Sequence, residues 1–151
     1  MNTLKLLIPT FALSILIACS STTTIPSASE MNVTMREITG QDGRACVQIR
    51  DISGYGAISD SVLSVSGKFQ KQYIMVTVHR CPAIESSPVL AFKGAFSDFC
   101  GGGRDSVHAG EGRCPVQSVF EFENRKAAFA AHDKAEELIA ERRQVAGQAV
   151  N

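Results

Sequence analysis

The spacing of apolar residues changes twice along this chain, and the changes mark its parts. After Gly40-Gln41-Asp42-Gly43, apolar and polar residues alternate in short runs broken by glycine. Cys46-Val47-Gln48-Ile49-Arg50 alternates, and Ser53-Gly54-Tyr55-Gly56 interrupts it. Val62-Leu63-Ser64-Val65-Ser66 resumes the pattern before a turn at Gly67-Lys68. Tyr73-Ile74-Met75-Val76-Thr77-Val78-His79 is the clearest strand, with Ile74, Val76 and Val78 on one face, and Pro82 ends it. Val89-Leu90-Ala91-Phe92 is a further strand. Residues 105 to 109 and 114 to 122 form a hairpin around Gly110-Glu111-Gly112. A period of two bounded by glycine is the signature of half-buried strands. One helical turn fits among them, at residues 83 to 86. The pattern predicts a mainly β domain over residues 36 to 122, a small antiparallel sheet or barrel. The element order would suit a five-stranded barrel of the OB type.

Residues 123 to 145 are Ala-rich and lack Gly and Pro, which predicts a C-terminal α-helix within a segment 123 to 151. Glu121 and Glu123 stand near its start and Arg142-Arg143 near its end, as the helix dipole favours. Gly147 is placed to stop it. Ala128, Ala131, Ala135, Leu138, Arg142 and Val145 make a narrow stripe of mostly small residues. So weak a stripe predicts a helix lying loosely on the domain or in solvent. The sharper alternative is a helix that binds a protein partner or a second copy.

The N-terminal part has a third pattern. A weakly positive start with Lys5 leads into a mostly apolar stretch from residue 6 to 17. Twelve residues are too few to span a bilayer, which needs about 20. The arrangement is that of an export signal, residues 1 to 18. Its end, Leu16-Ile17-Ala18-Cys19, resembles the lipobox of bacterial lipoproteins. That resemblance implies cleavage before Cys19, lipidation of Cys19 and an added acyl chain on its amine. Two or more chains hold a protein stably in a membrane. Ser20 in place of Asp implies, by the same analogy, sorting to the outer membrane of a Gram-negative envelope. Residues 19 to 35, rich in Ser, Thr and Pro at first, read as a flexible tether.

Removing 18 of 151 residues leaves 133, enough for one domain with a modest core. The chain has 15 basic and 15 acidic residues, so it lacks the basic excess that nucleic-acid binding draws on. Setting Cys19 aside leaves four cysteines, Cys46, Cys81, Cys100 and Cys114. Outside the cytoplasm an even number favours two disulfides. The cysteines are too widely spaced for the close pairs of a structural zinc site. Three pairings are open, and the nested one, Cys46–Cys114 with Cys81–Cys100, is favoured. Cys46 and Cys114 each open a strand of similar lettering, Cys-Val-Gln and Cys-Pro-Val-Gln.

The order of these cysteines with Ile52-Ser53-Gly54, Asp60-Ser61-Val62-Leu63, Tyr73, Val78 and the Asp105–Val107 segment is similar to a family of small four-cysteine bacterial envelope proteins, a domain of unknown function. The resemblance covers about residues 44 to 120. It implies the fold and the disulfides and nothing about chemistry. Gly101-Gly102-Gly103-Arg104 intervenes before Asp105, a departure from the family's tighter spacing after its third cysteine.

Candidate chemistry is sparse. His79, His108 and His132 have no second His at ligand spacing, so no metal or other cofactor is expected. No G-x-S-x-G elbow is present, and oxidised cysteines are not nucleophiles. Gly101-Gly102-Gly103-Arg104 meets neither phosphate-loop nor dinucleotide-loop spacing and reads as a flexible loop. The expectation is a non-catalytic envelope lipoprotein that binds or interacts. The alternatives are an envelope enzyme with a dispersed site and a small-ligand binder using a barrel mouth.

Overall fold

The computed structural model describes residues 25–149. The leader and Cys19 lie outside the described residues. Eight strands and three helices follow in the order α1 Ala28–Thr39, β1 Cys46–Gln48, β2 Gly54–Ser59, β3 Val62–Ser66, β4 Gln72–Thr77, α2 Ala83–Ser86, β5 Leu90–Lys93, β6 Asp98–Cys100, β7 Ser106–Ala109, β8 Gly112–Phe122 and α3 Arg125–Gln148. The protein is mainly β, as its alternating runs predict.

Six strands form one antiparallel sheet in the order β2-β3-β4-β8-β7-β5, and β1 pairs with β6 in a separate ribbon. The long strand β8 organises the sheet. Its outer part, from Val116 to Phe122, pairs with β4, and its start, from Gly112 to Pro115, pairs with β7. The sheet curls into a half-barrel. Its edges are β2 and β5, and a side chain joins them in place of a ladder. The Tyr55 hydroxyl accepts from the Leu90 amide at 2.9 Å, and the Tyr55 and Phe92 rings lie 5.6 Å apart. The closed five-stranded barrel of the OB type is therefore not what the strands build. The turn between β7 and β8 begins at Gly110, whose φ of 56° suits the twist of a two-residue hairpin.

Two cores flank the sheet. Inside the curl, Leu63, Val65, Met75, Phe99, Val116 and Val119 are among the buried residues that pack together. On the outer face, Val62, Ile74, Val76 and Phe120 meet Met31 and Met35 of α1 and Ala135 and Ile139 of α3. Strand β4 serves both cores, because successive side chains alternate between faces and both faces are covered. Ile74 and Val76 do share a face, but Val78 lies past the strand end and is exposed.

Other expectations are overturned by the strands, helices and disulfides observed. The segment read as tether through residue 35 includes the larger part of helix α1, which runs on to Thr39, and the physical cause is visible in the letters. Ser27 caps the helix while the Glu30 carboxylate accepts from the Ser27 amide at 2.9 Å, a capping box. Ala28, Met31 and Met35 then recur at helical spacing and bury themselves on the sheet. Ser53-Gly54-Tyr55-Gly56 does not break the sheet. Gly54 to Gly56 belong to edge strand β2, and β6 is a further strand the alternation did not show.

The disulfides join Cys46 to Cys100 and Cys81 to Cys114, not the nested pairs. Cys46 stands directly opposite Cys100 in the β1–β6 ribbon, so similar lettering around Cys46 and Cys114 was no guide to neighbourhood. Helix α3, finally, does not lie loosely. Ala128, His132, Ala135 and Ile139 are its buried residues, on the expected stripe at Ala128 and Ala135 and one position off it at His132 and Ile139. The helix also runs past Gly147 to Gln148. No helix among the described residues is long and apolar enough to cross a membrane.

Candidate functional site

The loops around the β1–β6 ribbon are built from backbone contacts, and those contacts leave a cleft. Residues 43 to 45 run beside β8, where the Ala45 amide donates to the Val119 carbonyl and the Val119 amide to that of Gly43. Gly101 packs against this segment so closely that a Cβ there would fall 1.9 Å from the Gly43 oxygen, so no side chain fits. Gly102 and Gly103 donate to the Gln117 and Val116 carbonyls. The glycine run read as a flexible loop is thus tied down, Gly102 and Gly103 to β8 and Gly101 to the Ala45 carbonyl.

Asp105 fixes the other side. It is buried, and its carboxylate accepts from the Cys100 amide at 2.7 Å and the Ala95 amide at 3.0 Å. A carboxylate held by two backbone donors is a strong, charge-assisted clasp. It draws the turn after β5 toward the end of β6. The Cys46–Cys100 disulfide closes the ribbon below.

Between these parts opens a cleft of about 460 Å³, bordered by Arg44, Phe96, Asp98, Cys100, Arg104 and Asp105. Its volume is within the range of small-molecule sites. Arg44, Asp98 and Arg104 are exposed, and Phe96 at the rim is 84% exposed. Among the described residues, the lining holds no histidine, serine or lysine. Its arrangement can hold a ligand by charge and by an aromatic face, and it presents no nucleophile beside a base.

The histidines lie elsewhere. His79 is exposed. His108 is hydrogen-bonded through Nε2 to Ser106 Oγ at 3.1 Å, and Arg113 Nε donates to the same hydroxyl. These are same-face and cross-strand neighbours of the β7–β8 hairpin. Ser106 is itself buried, which leaves a substrate no approach. His132 is buried between α3 and the rest of the outer core, with Nδ1 3.6 Å from Asp133 and Nε2 3.8 Å from Glu136. One ligand atom from each of these three lies within 4.8 Å of the others. With a single histidine, this grouping has no paired-histidine spacing in the sequence to mark it. Its carboxylates are exposed neighbours on a single helix, a common surface arrangement without an ion.

The fold and cleft define a small, mainly β domain clasped by two disulfides, with its ligand-sized cleft beside the more exposed one. A family model described as a family of unknown function, DUF6491, matches residues 2–137, and the chain belongs to that family. No curated protein and no solved structure matches the chain.

Proposed function

We propose that the protein is a lipid-anchored envelope lipoprotein, held in the membrane through Cys19, whose β domain is a non-catalytic binding module. The observation that carries this reading is the cleft at Arg44 and Arg104. It is sized for a small ligand and walled by backbone pinned at Asp105 and Gly101, and it contains charged and aromatic groups but no nucleophile-base pair. The lipobox-like end of the leader and the two disulfides support an exported, anchored chain. Outer-membrane placement, facing the periplasm, rests on Ser20 alone.

A second reading, docking of a protein partner on the C-terminal helix, draws on a shallow groove between α1 and α3 lined by Val33, Ile139 and Ala146. The two readings separate in one experiment. A photo-crosslinking residue is placed at position 96 or at position 145 in intact cells, with and without Cys19→Ala. The binding-module reading expects membrane-fraction protein and a specific adduct from position 96. An adduct from position 145 alone favours the helix, and membrane retention of the Cys19→Ala chain defeats the anchor.

A further inference from the structure

Nine arginines lie among the described residues, and seven have a side-chain partner. Arg50, Arg80, Arg142 and Arg143 sit in ion pairs with Asp51, Asp60, Glu37 and Glu30. Arg36 bonds to Asn32 and Ser118, Arg113 to Ser106, and Arg125 lies over the Phe129 ring. The two guanidinium groups left without a partner, Arg44 and Arg104, border the same cleft. They come from distant parts of the chain, and the bonding of Gly43, Ala45, Gly102 and Gly103 to β8, with the Gly101 amide on the Ala45 carbonyl, brings them together.

We propose that this cleft receives a small organic anion. Its carboxylate or phosphate lies on Arg44 and Arg104, and its apolar or planar body rests on Phe96. The inference rests on the binding-module reading and adds the chemical class of the ligand. A guanidinium offers a planar fork of donors that matches carboxylate and phosphate oxygens, and it forms charge-assisted hydrogen bonds with them. The two acids of the cleft differ in availability. The Asp105 oxygens accept from the Ala95 and Cys100 amides, whereas the Asp98 carboxylate has no partner among the described residues. The cleft therefore carries two unengaged cations against one unengaged anion. Phe96, 84% exposed, gains most from an apolar surface laid against it.

The test is titration of the oxidised full chain in non-ionic detergent, followed by the backbone amide signals of Arg44, Gly101, Gly102 and Arg104. Four probes are compared: phenyl phosphate, benzoate, inorganic phosphate and benzylamine. The expected result is saturable binding of phenyl phosphate or benzoate, with the stronger of the two identifying the acid group. Arg44→Gln and Arg104→Gln should each weaken it roughly tenfold or more, the worth of one lost charged hydrogen bond. Phe96→Ala should bring phenyl phosphate down to the level of inorganic phosphate. Asp98→Asn should tighten binding of the anions by removing a like charge. Asp98→Asn weakening binding, or anion binding indifferent to both arginine changes, overturns the proposal. Benzylamine occupying the cleft in place of the anions overturns it too, while leaving the binding module standing. If no anionic, cationic or neutral compound of a wider set moves the cleft amides, both readings fall together.

Discussion

Arg143, near the end of α3, donates to the Glu30 carboxylate in the first turn of α1 at 2.6 Å. One carboxylate thus closes the capping box of its own helix and ties that helix to the other. The Arg143 and Ser27 hydrogen bonds hold the Glu30 carboxyl down to about 2, against an ordinary value of 4.5.

That shift makes acid stability testable. Because the folded value is depressed, Glu30 contributes stability above about pH 4.5 and loses it as the pH falls toward 2. The pair is partly open to solvent, so screening limits it to about 0.2–1 kcal/mol. Thermal melting of Glu30→Gln against the parent chain, from pH 7 to pH 2, should show a deficit at neutral pH that closes across that window. A deficit of constant size would mean that the carboxylate charge is not what stabilises the contact.

The disulfides differ in access. Cys46 is exposed and Cys100 half-buried, whereas Cys81 and Cys114 are both buried. Exchange requires an attacking thiolate to reach sulfur, so a mild reductant should open Cys46–Cys100 first. Timed alkylation with mass mapping would show the order. Simultaneous opening would mean that unfolding, not access, controls reduction. With loops of 54 and 33 residues, each bridge contributes roughly 4 kcal/mol by the loop-entropy model. Full reduction should therefore greatly lower the melting temperature.

Two glycines predict opposite outcomes for the same substitution. Gly101→Ala places a methyl against the Gly43 oxygen and should cost about 1–3 kcal/mol or more, as overpacking does. Gly147→Ala meets open space within a helix and should gain about 0.5–1 kcal/mol. Denaturant midpoints of the two variants would settle both. A neutral Gly101→Ala would mean that the 43–45 segment is not pressed against the glycine run.

Helix α3 belongs to the core, and single substitutions can weigh it. Ile139→Ala should cost about 2–5 kcal/mol, as loss of a buried aliphatic side chain does. Val145, 68% exposed, should tolerate Ala within about 0.5 kcal/mol. Deleting residues 124 to 151 should uncover Phe120 and Ile74 and leave an aggregating chain, seen as light scattering during refolding. A soluble, cooperatively melting truncation would contradict the packing of the outer core.

Strands that alternate strongly were legible from their letters. Val62–Ser66 and the one-turn helix Ala83–Ser86 match their sequence readings in full. Edge strand β2 was not legible, because Gly54 and Gly56 remove the side chains that make alternation visible, and an edge has one partner to satisfy. Helix α1 carried a signal that composition obscured. Ser27 with Glu30 three residues on, followed by Met31 and Met35, is a capped amphipathic helix inside a Ser/Thr-rich stretch. The cleft was not legible at all. Arg44 and Arg104 become neighbours only through the attachment of two loops to β8, and no local pattern encodes a juxtaposition so distant in sequence.

The early start of α1 sets a length scale for the anchored protein. With Ala28 already helical and folded onto the sheet, eight residues, 20 to 27, lie between Cys19 and helix α1 in the sequence. Even fully stretched, those residues reach roughly 25–30 Å. Under the anchoring proposed here, the domain rides close above its bilayer on a short leash. Its encounters are then with molecules of that same membrane surface, or with solutes that diffuse to it.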